Sequence, residues 1–153
     1  MNLIQENTDS ITFFTSLRNI EQWLEISLDD FDFHFTDVSG GWSEIKSPMW
    51  ITGEDLNLII KEFDYQFEWA VISVYPKGTT PKLSDKPYAD GNPNFWSGSP
   101  KKQLKDSIFE IICWDSTATL FIQLPHELAQ KLLKNAPGIS DLDQQNKKVS
   151  KKS

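Results

Sequence analysis

The sequence predicts an α+β domain, a mixed and mostly antiparallel sheet of about four or five strands with three helices packed on it. Three observations predict it. Two β-rich runs flank Asp115-Ser116 and read as a hairpin, which makes part of the sheet antiparallel. Phe31, Phe33 and Phe35 alternate with Asp32, His34 and Thr36, the period of a half-buried strand. Three other segments repeat apolar residues at three- and four-residue steps, the period of a helix. At 153 residues the chain has the length of one domain. A domain of that size buries roughly 70% of its unfolded surface and needs no covalent staple. We therefore read a single domain over 1–140 and a disordered Lys-rich tail over 141–153.

The elements follow in order. Thr8, Asp9 and Ser10 offer helix caps, and Phe14, Leu17, Ile20, Leu24 and Leu28 give an amphipathic helix over about 13–26. Ile11-Thr12-Phe13-Phe14 reads equally well as the start of a strand. The alternating strand at Phe31–Thr36 ends at Ser39-Gly40-Gly41, and a connector with Pro48 leads to a short strand at 49–51. Thr52-Gly53-Glu54-Asp55 resembles a capping box, with the Thr52 hydroxyl over the N–H of residue 55. Leu56, Ile59, Ile60 and Phe63 then carry a helix over about 53–63. Phe67, Trp69, Val71, Ser73 and Tyr75 share one face of a strand, and Ala70, Ile72 and Val74 share the other. Both faces are largely apolar, so this strand is central and covered on both sides.

Residues 76–105 hold five prolines and three glycines. Loops this long are uncommon in compact domains unless they have a function or are disordered. Tyr88, Phe95 and Trp96 within it predict an ordered loop packed by its own aromatics. The hairpin strands follow at about 107–114 and 117–123. Pro125 opens a third helix with Leu128, Leu132 and Leu133, and Asn135-Ala136-Pro137-Gly138 stops it.

Composition excludes several function classes. The single cysteine, Cys113, leaves no internal disulfide framework and no cysteine metal cluster. His34 and His126 are the two histidines, and neither has a second histidine at ligand spacing. Asp29, Asp30 and Asp32 near His34 lack the spacing of a calcium loop. Cys113 sits in an apolar run with no histidine or cation nearby to activate it. No Gly-x-Ser-x-Gly elbow or phosphate-binding glycine motif occurs, and Asp115-Ser116 is explained by turn chemistry. We expect no catalytic set, no metal and no cofactor.

Charge is the more informative property. The net charge is −7, and it is unevenly spread. Residues 1–68 hold fourteen acidic and three basic side chains, whereas residues 69–153 hold eight acidic and twelve basic. An acidic half repels nucleic acid and attracts a basic protein. It also serves simply as a solvated face. The first ten residues lack the pattern of a signal peptide, and no apolar run reaches the roughly 20 residues of a membrane span, so a cytoplasmic location is expected.

Pro87-Tyr88-Ala89-Asp90-Gly91, Phe95-Trp96, Phe109-Glu110-Ile111 and Trp114-Asp115-Ser116-Thr117 resemble the C-terminal half of a small family of unknown function from Bacillus-type bacteria. The resemblance covers about residues 66–125 and implies no activity or site residue. By character rather than motif, a Trp-rich acidic α+β domain of this length is similar to bacterial immunity proteins that neutralise toxins.

The resulting expectation is a non-enzymatic, acidic protein-binding module, of an immunity or antitoxin type, facing a basic toxin domain. Its candidate contact residues are Tyr88, Asp90, Phe95, Trp96, Trp42, Asp29, Asp30 and Asp32. The aromatics among them serve equally as a lid that completes the core. Two alternatives are a small enzyme or ligand-binding domain, with Asp90 or Asp115 facing a pocket under the 76–105 loop, and an assembly protein that dimerises through a sheet edge.

Overall fold

Strand β4 (Phe67–Pro76) is the axis of the molecule, because its sequence is apolar on both sides and residues 70–75 are all buried. The computed structural model describes residues 1–152. Six further strands flank β4: β1 (Leu3–Glu6), β2 (Phe31–Gly40), β3 (Met49–Thr52), β5 (Phe109–Trp114), β6 (Ala118–Ile122) and β7 (Ile139–Asp141). They form one seven-stranded sheet in the order β3-β2-β4-β5-β6-β1-β7, and every neighbouring pair is antiparallel. Among the described residues four helices accompany it: α1 (Leu17–Leu24), α2 (Gly53–Ile60), α3 (His126–Asn135) and α4 (Leu142–Lys152).

The α+β class thus stands, but the expected sheet of four or five strands with three helices is corrected to seven strands and four helices. The additional elements carry little periodic signal. β1 and β7 are four and three residues long, too short to show an alternating pattern. Residues 142–152, expected as a disordered tail, form α4. Leu142 and the polar Asn146 are its buried residues. The Asn146 amide donates to the carbonyls of Phe95 (3.1 Å) and Gly98 (3.0 Å). A helix docked in part by an amide lacks the apolar stripe that announces a helix.

The sheet separates two layers. On one side lie α1, α2 and α3, over Phe33, Phe35, Ile72, Val74, Phe109, Ile111 and Phe121. On the other, Val71, Ile112, Leu120, Ile122 and Ile4 pack under the 77–108 loop and Leu142 of α4. Phe67 joins the helix-side core rather than sharing a face with Trp69, because the β2–β4 ladder shifts register between Thr36 and Gly40.

Local chemistry fixes the helix ends. The Ser16 hydroxyl caps α1 at Asn19 N–H, and Glu25 in the left-handed region ends it, so the helix is shorter than 13–26. The Thr52 hydroxyl accepts from Asp55 N–H at 3.2 Å, as its capping pattern predicts. Helix α2 ends at Ile60, which leaves Phe63 61% exposed instead of on the apolar stripe. Gly53 is required where α2 presses on the 28–30 turn: a Cβ there would lie 1.7 Å from the Leu28 carbonyl oxygen. The β5–β6 turn closes through Thr117 N–H to Trp114 C=O at 2.9 Å, with Asp115 and Ser116 at positive φ.

Candidate functional site

Of the four aromatics singled out in the sequence, Phe95 and Trp42 are buried, Trp96 is half-buried and Tyr88 is exposed. Phe95 is buried, and it packs edge-on against Trp114 with Trp96 at the same indole. Trp42 is buried too, donates its Nε1–H to the Phe63 carbonyl (3.1 Å) and packs on Phe67 and Tyr65. Asp32 is buried and accepts from Gly78 N–H (2.9 Å), which pins the start of the long loop. Tyr88, Asp90, Asp29 and Asp30 are exposed. Tyr88 and Asp90 lie on the loop, where Asp37 accepts the N–H groups of Ala89 (2.8 Å) and Asp90 (2.9 Å). Asp29 and Asp30 lie on the 28–30 turn beside α2, with Asn57 donating to Asp29 at 2.6 Å. The eight residues therefore divide between the core and two separate surfaces.

The loop rests on a polar row that crosses the sheet. Register sets His34 opposite Ser73 and Ser73 opposite Glu110, so all three project from one face, and all three are fully buried. The Ser73 hydroxyl donates to Glu110 Oε2 at 2.6 Å. Gln103 N–H donates to Oε1 (2.6 Å) and Leu104 N–H to Oε2 (3.0 Å). Burial raises the Glu110 pKa above its ordinary value, against the opposing pull of these hydrogen bonds and Lys102. His34 Nε2 accepts from Ser84 N–H at 3.1 Å, so its Nδ1 carries the proton in the neutral ring, and Nδ1 is buried without a hydrogen-bond partner. Burial lowers the His34 pKa, and the Asp106 charge partly offsets that. Tyr75 and Lys82 both donate to Asp106 (2.8 and 2.6 Å), and these two hydrogen bonds hold its pKa below the usual range.

This row contains a serine, a histidine and a carboxylate, but not in a nucleophilic arrangement. A serine nucleophile gives its proton to the histidine. Here the Ser73 hydroxyl donates its hydrogen bond to Glu110, and His34 Nε2 is occupied by a backbone N–H. The chemistry of the row is attachment of the loop. Cys113 is structural as well: its thiol is buried, donates to the Phe67 carbonyl (3.3 Å), and is pushed up to about 11 by burial.

A cleft of about 330 Å³ opens beside the loop, lined by Asn92, Asn94, Phe95, Ser97, Ser99 and Gln103 among others. Neither Asp90 nor Asp115, the carboxylates expected to face a pocket there, lines it. Among the described residues, no group of three or more His, Cys, Asp or Glu is placed to hold a metal ion. No helix among them is long and apolar enough to cross a membrane.

A feature absent from the sequence reading lies at the other end of the sheet. β3 is an edge strand, and the groove between it and α2 has a volume of about 460 Å³. Met49, Ile51, Leu58 and Ile59 give it an apolar floor, and Glu44 and Asp55 stand on its rim. Leu58 is 68% exposed. The available signal was Leu58 itself, an apolar residue off the stripe formed by Leu56, Ile59 and Ile60.

No protein-family model matches the chain, and no curated protein or solved structure matches it either.

Proposed function

We propose that this chain is a non-enzymatic binding module that engages a basic protein through its acidic first half, as an immunity or antitoxin-type protein engages a basic toxin domain. The observation that carries this reading is the grouping of exposed carboxylates around β3 and α2. Asp29, Asp30, Glu44, Glu54 and Asp55 are all exposed there, and Lys77 is ion-paired with Glu54. Carboxylates that share a surface add their fields, which speeds the approach of a cationic partner and selects against anionic ones. Phe95 and Trp42 are buried and Trp96 is half-buried against the core, which leaves them little surface for a partner and favours the carboxylates as the contact. The titratable groups under the loop support the same reading, because their hydrogen bonds are spent on holding the loop.

The test is affinity capture with the full chain from its native cells, followed by association kinetics with the purified partner. The expected partner is basic, and its association rate falls steeply between about 50 and about 500 mM salt, as the screening length shortens. Capture of no partner, or a partner whose association rate is independent of salt, overturns the reading.

A further inference from the structure

We propose that the outer edge of β3 receives an extended basic segment of a protein partner, which adds a strand to the sheet and lays its apolar side chains in the groove between β3 and α2. This rests on the binding-module reading and names the place and the form of the contact.

The two ends of the sheet are treated differently. Both end strands are short and run directly into a helix, but β7 has three residues and carries Asp141. A charge on an edge strand makes it a poor template for another strand. β3 reads Met49-Trp50-Ile51-Thr52, with no charge and no proline inside it, and no strand lies beyond it. An edge strand presents alternate N–H and C=O groups outward, which a second extended chain pairs with. Beside that edge the groove supplies Met49, Ile51, Leu58 and Ile59, so every second side chain of an added strand meets apolar surface.

Charge selects the occupant. Glu44 and Asp55 stand on the rim of the groove, and Asp29, Asp30 and Glu54 are exposed on α2 and the turn beside it, against Lys46 and Lys77, the latter already paired with Glu54. A second copy of this chain, paired β3 to β3, would bring the same carboxylates together across the seam, and like charges facing one another oppose such pairing. The chain's own lysine-rich segment is also excluded, since it is helical in α4 and docked at the opposite end of the sheet. A basic segment with alternating apolar residues satisfies the edge, the floor and the rim together.

The experiment uses the full chain labelled with nitrogen-15 and three short peptides: one alternating lysine and valine, one alternating glutamate and valine, and the basic one N-methylated at alternate residues. The expected result is amide shifts at Met49–Thr52 and at Leu58 and Ile59 with the basic peptide alone. N-methylation, which removes the outward backbone donors of the peptide, is expected to weaken binding by about tenfold or more, and Leu58→Ser by about tenfold. Glu44→Lys weakens it and reduces its salt dependence. Because Leu58 and Glu44 are exposed, both variants keep the fold. Shifts confined to other surfaces, equal binding of the N-methylated peptide, or equal binding of the acidic peptide overturns the proposal. A basic partner that meets the kinetic test above yet leaves the β3 amides unprotected from exchange removes this site and keeps the binding-module reading. Peptide binding at β3 with no basic partner captured does the reverse.

Discussion

Replacing Glu110 with alanine tests whether the polar row is what holds the 77–108 loop to the sheet. The side chain accepts from three donors: the Ser73 hydroxyl and the N–H groups of Gln103 and Leu104. The Ser73 hydroxyl proton is free to turn about its C–O bond. The two N–H groups are fixed by the backbone, and a buried donor left without a partner costs about 1–3 kcal/mol. With the volume lost, the expected destabilisation is about 3–5 kcal/mol, a large share of the roughly 5–15 kcal/mol that holds a domain together. Glu110→Gln keeps one acceptor oxygen but turns an amide NH2 toward the remaining donor, so about half that loss is expected. Urea unfolding followed by tryptophan fluorescence measures both. Hydrogen exchange at the amides of Gln103 and Leu104 locates the effect, and these should lose protection while β5 keeps it. The pH arm has a definite sign. Burial raises the folded pKa of Glu110 above its ordinary 4.5, so its contribution is complete below that value and is lost as pH rises through the folded pKa. That part of the pH profile should be missing from the glutamine variant. An alanine variant within about 1 kcal/mol of the parent, or unchanged protection at the two amides, refutes the assigned role.

Three further outcomes are expected. The His34 pKa is depressed below its ordinary 6.5, so its contribution is present above that pH and lost as pH falls through the folded value, opposite in sign to Glu110. The gap in urea midpoint between the parent protein and His34→Gln should narrow between pH 7.5 and 5.5. Cys113, buried and with its pKa pushed up to about 11, should be inert to a thiol reagent at neutral pH and react fully in urea. Gly53→Ala should cost about 3 kcal/mol, measured by thermal or urea unfolding, since the new methyl meets the carbonyl oxygens of Leu28 and Phe31, which do not give way as a side chain would.

The elements that were legible in the sequence are those whose own residues carry the pattern. The β5–β6 hairpin announces itself through Asp115-Ser116, and α2 through its Thr52 cap and Leu56–Ile60 spacing. What stayed hidden depends on residues far apart in the chain. β1 is a strand because β6 and β7 lie on either side of it, and nothing within Leu3–Glu6 says so. α4 is held by Asn146 reaching the carbonyls of Phe95 and Gly98, a contact without a hydropathy signature. The candidate surface divides in the same way. The acidic bias of the first half is read directly from composition, but aromatics in a loop look alike whether they face water or the core. The groove beside β3 arises from an edge position, and an edge is a property of topology.

The placement of β1 has a consequence for how the molecule assembles. Leu3 lies beside Phe121 on one flank and Asp141 on the other, so a segment made early waits for roughly a hundred and twenty residues of synthesis before its first neighbour emerges from the ribosome. Until then the unfinished sheet ends at β5, with Ile111 and Ile112 unshielded on its two faces. Nascent chains stalled before Ala118 should therefore be the most prone to clump and the most dependent on chaperones.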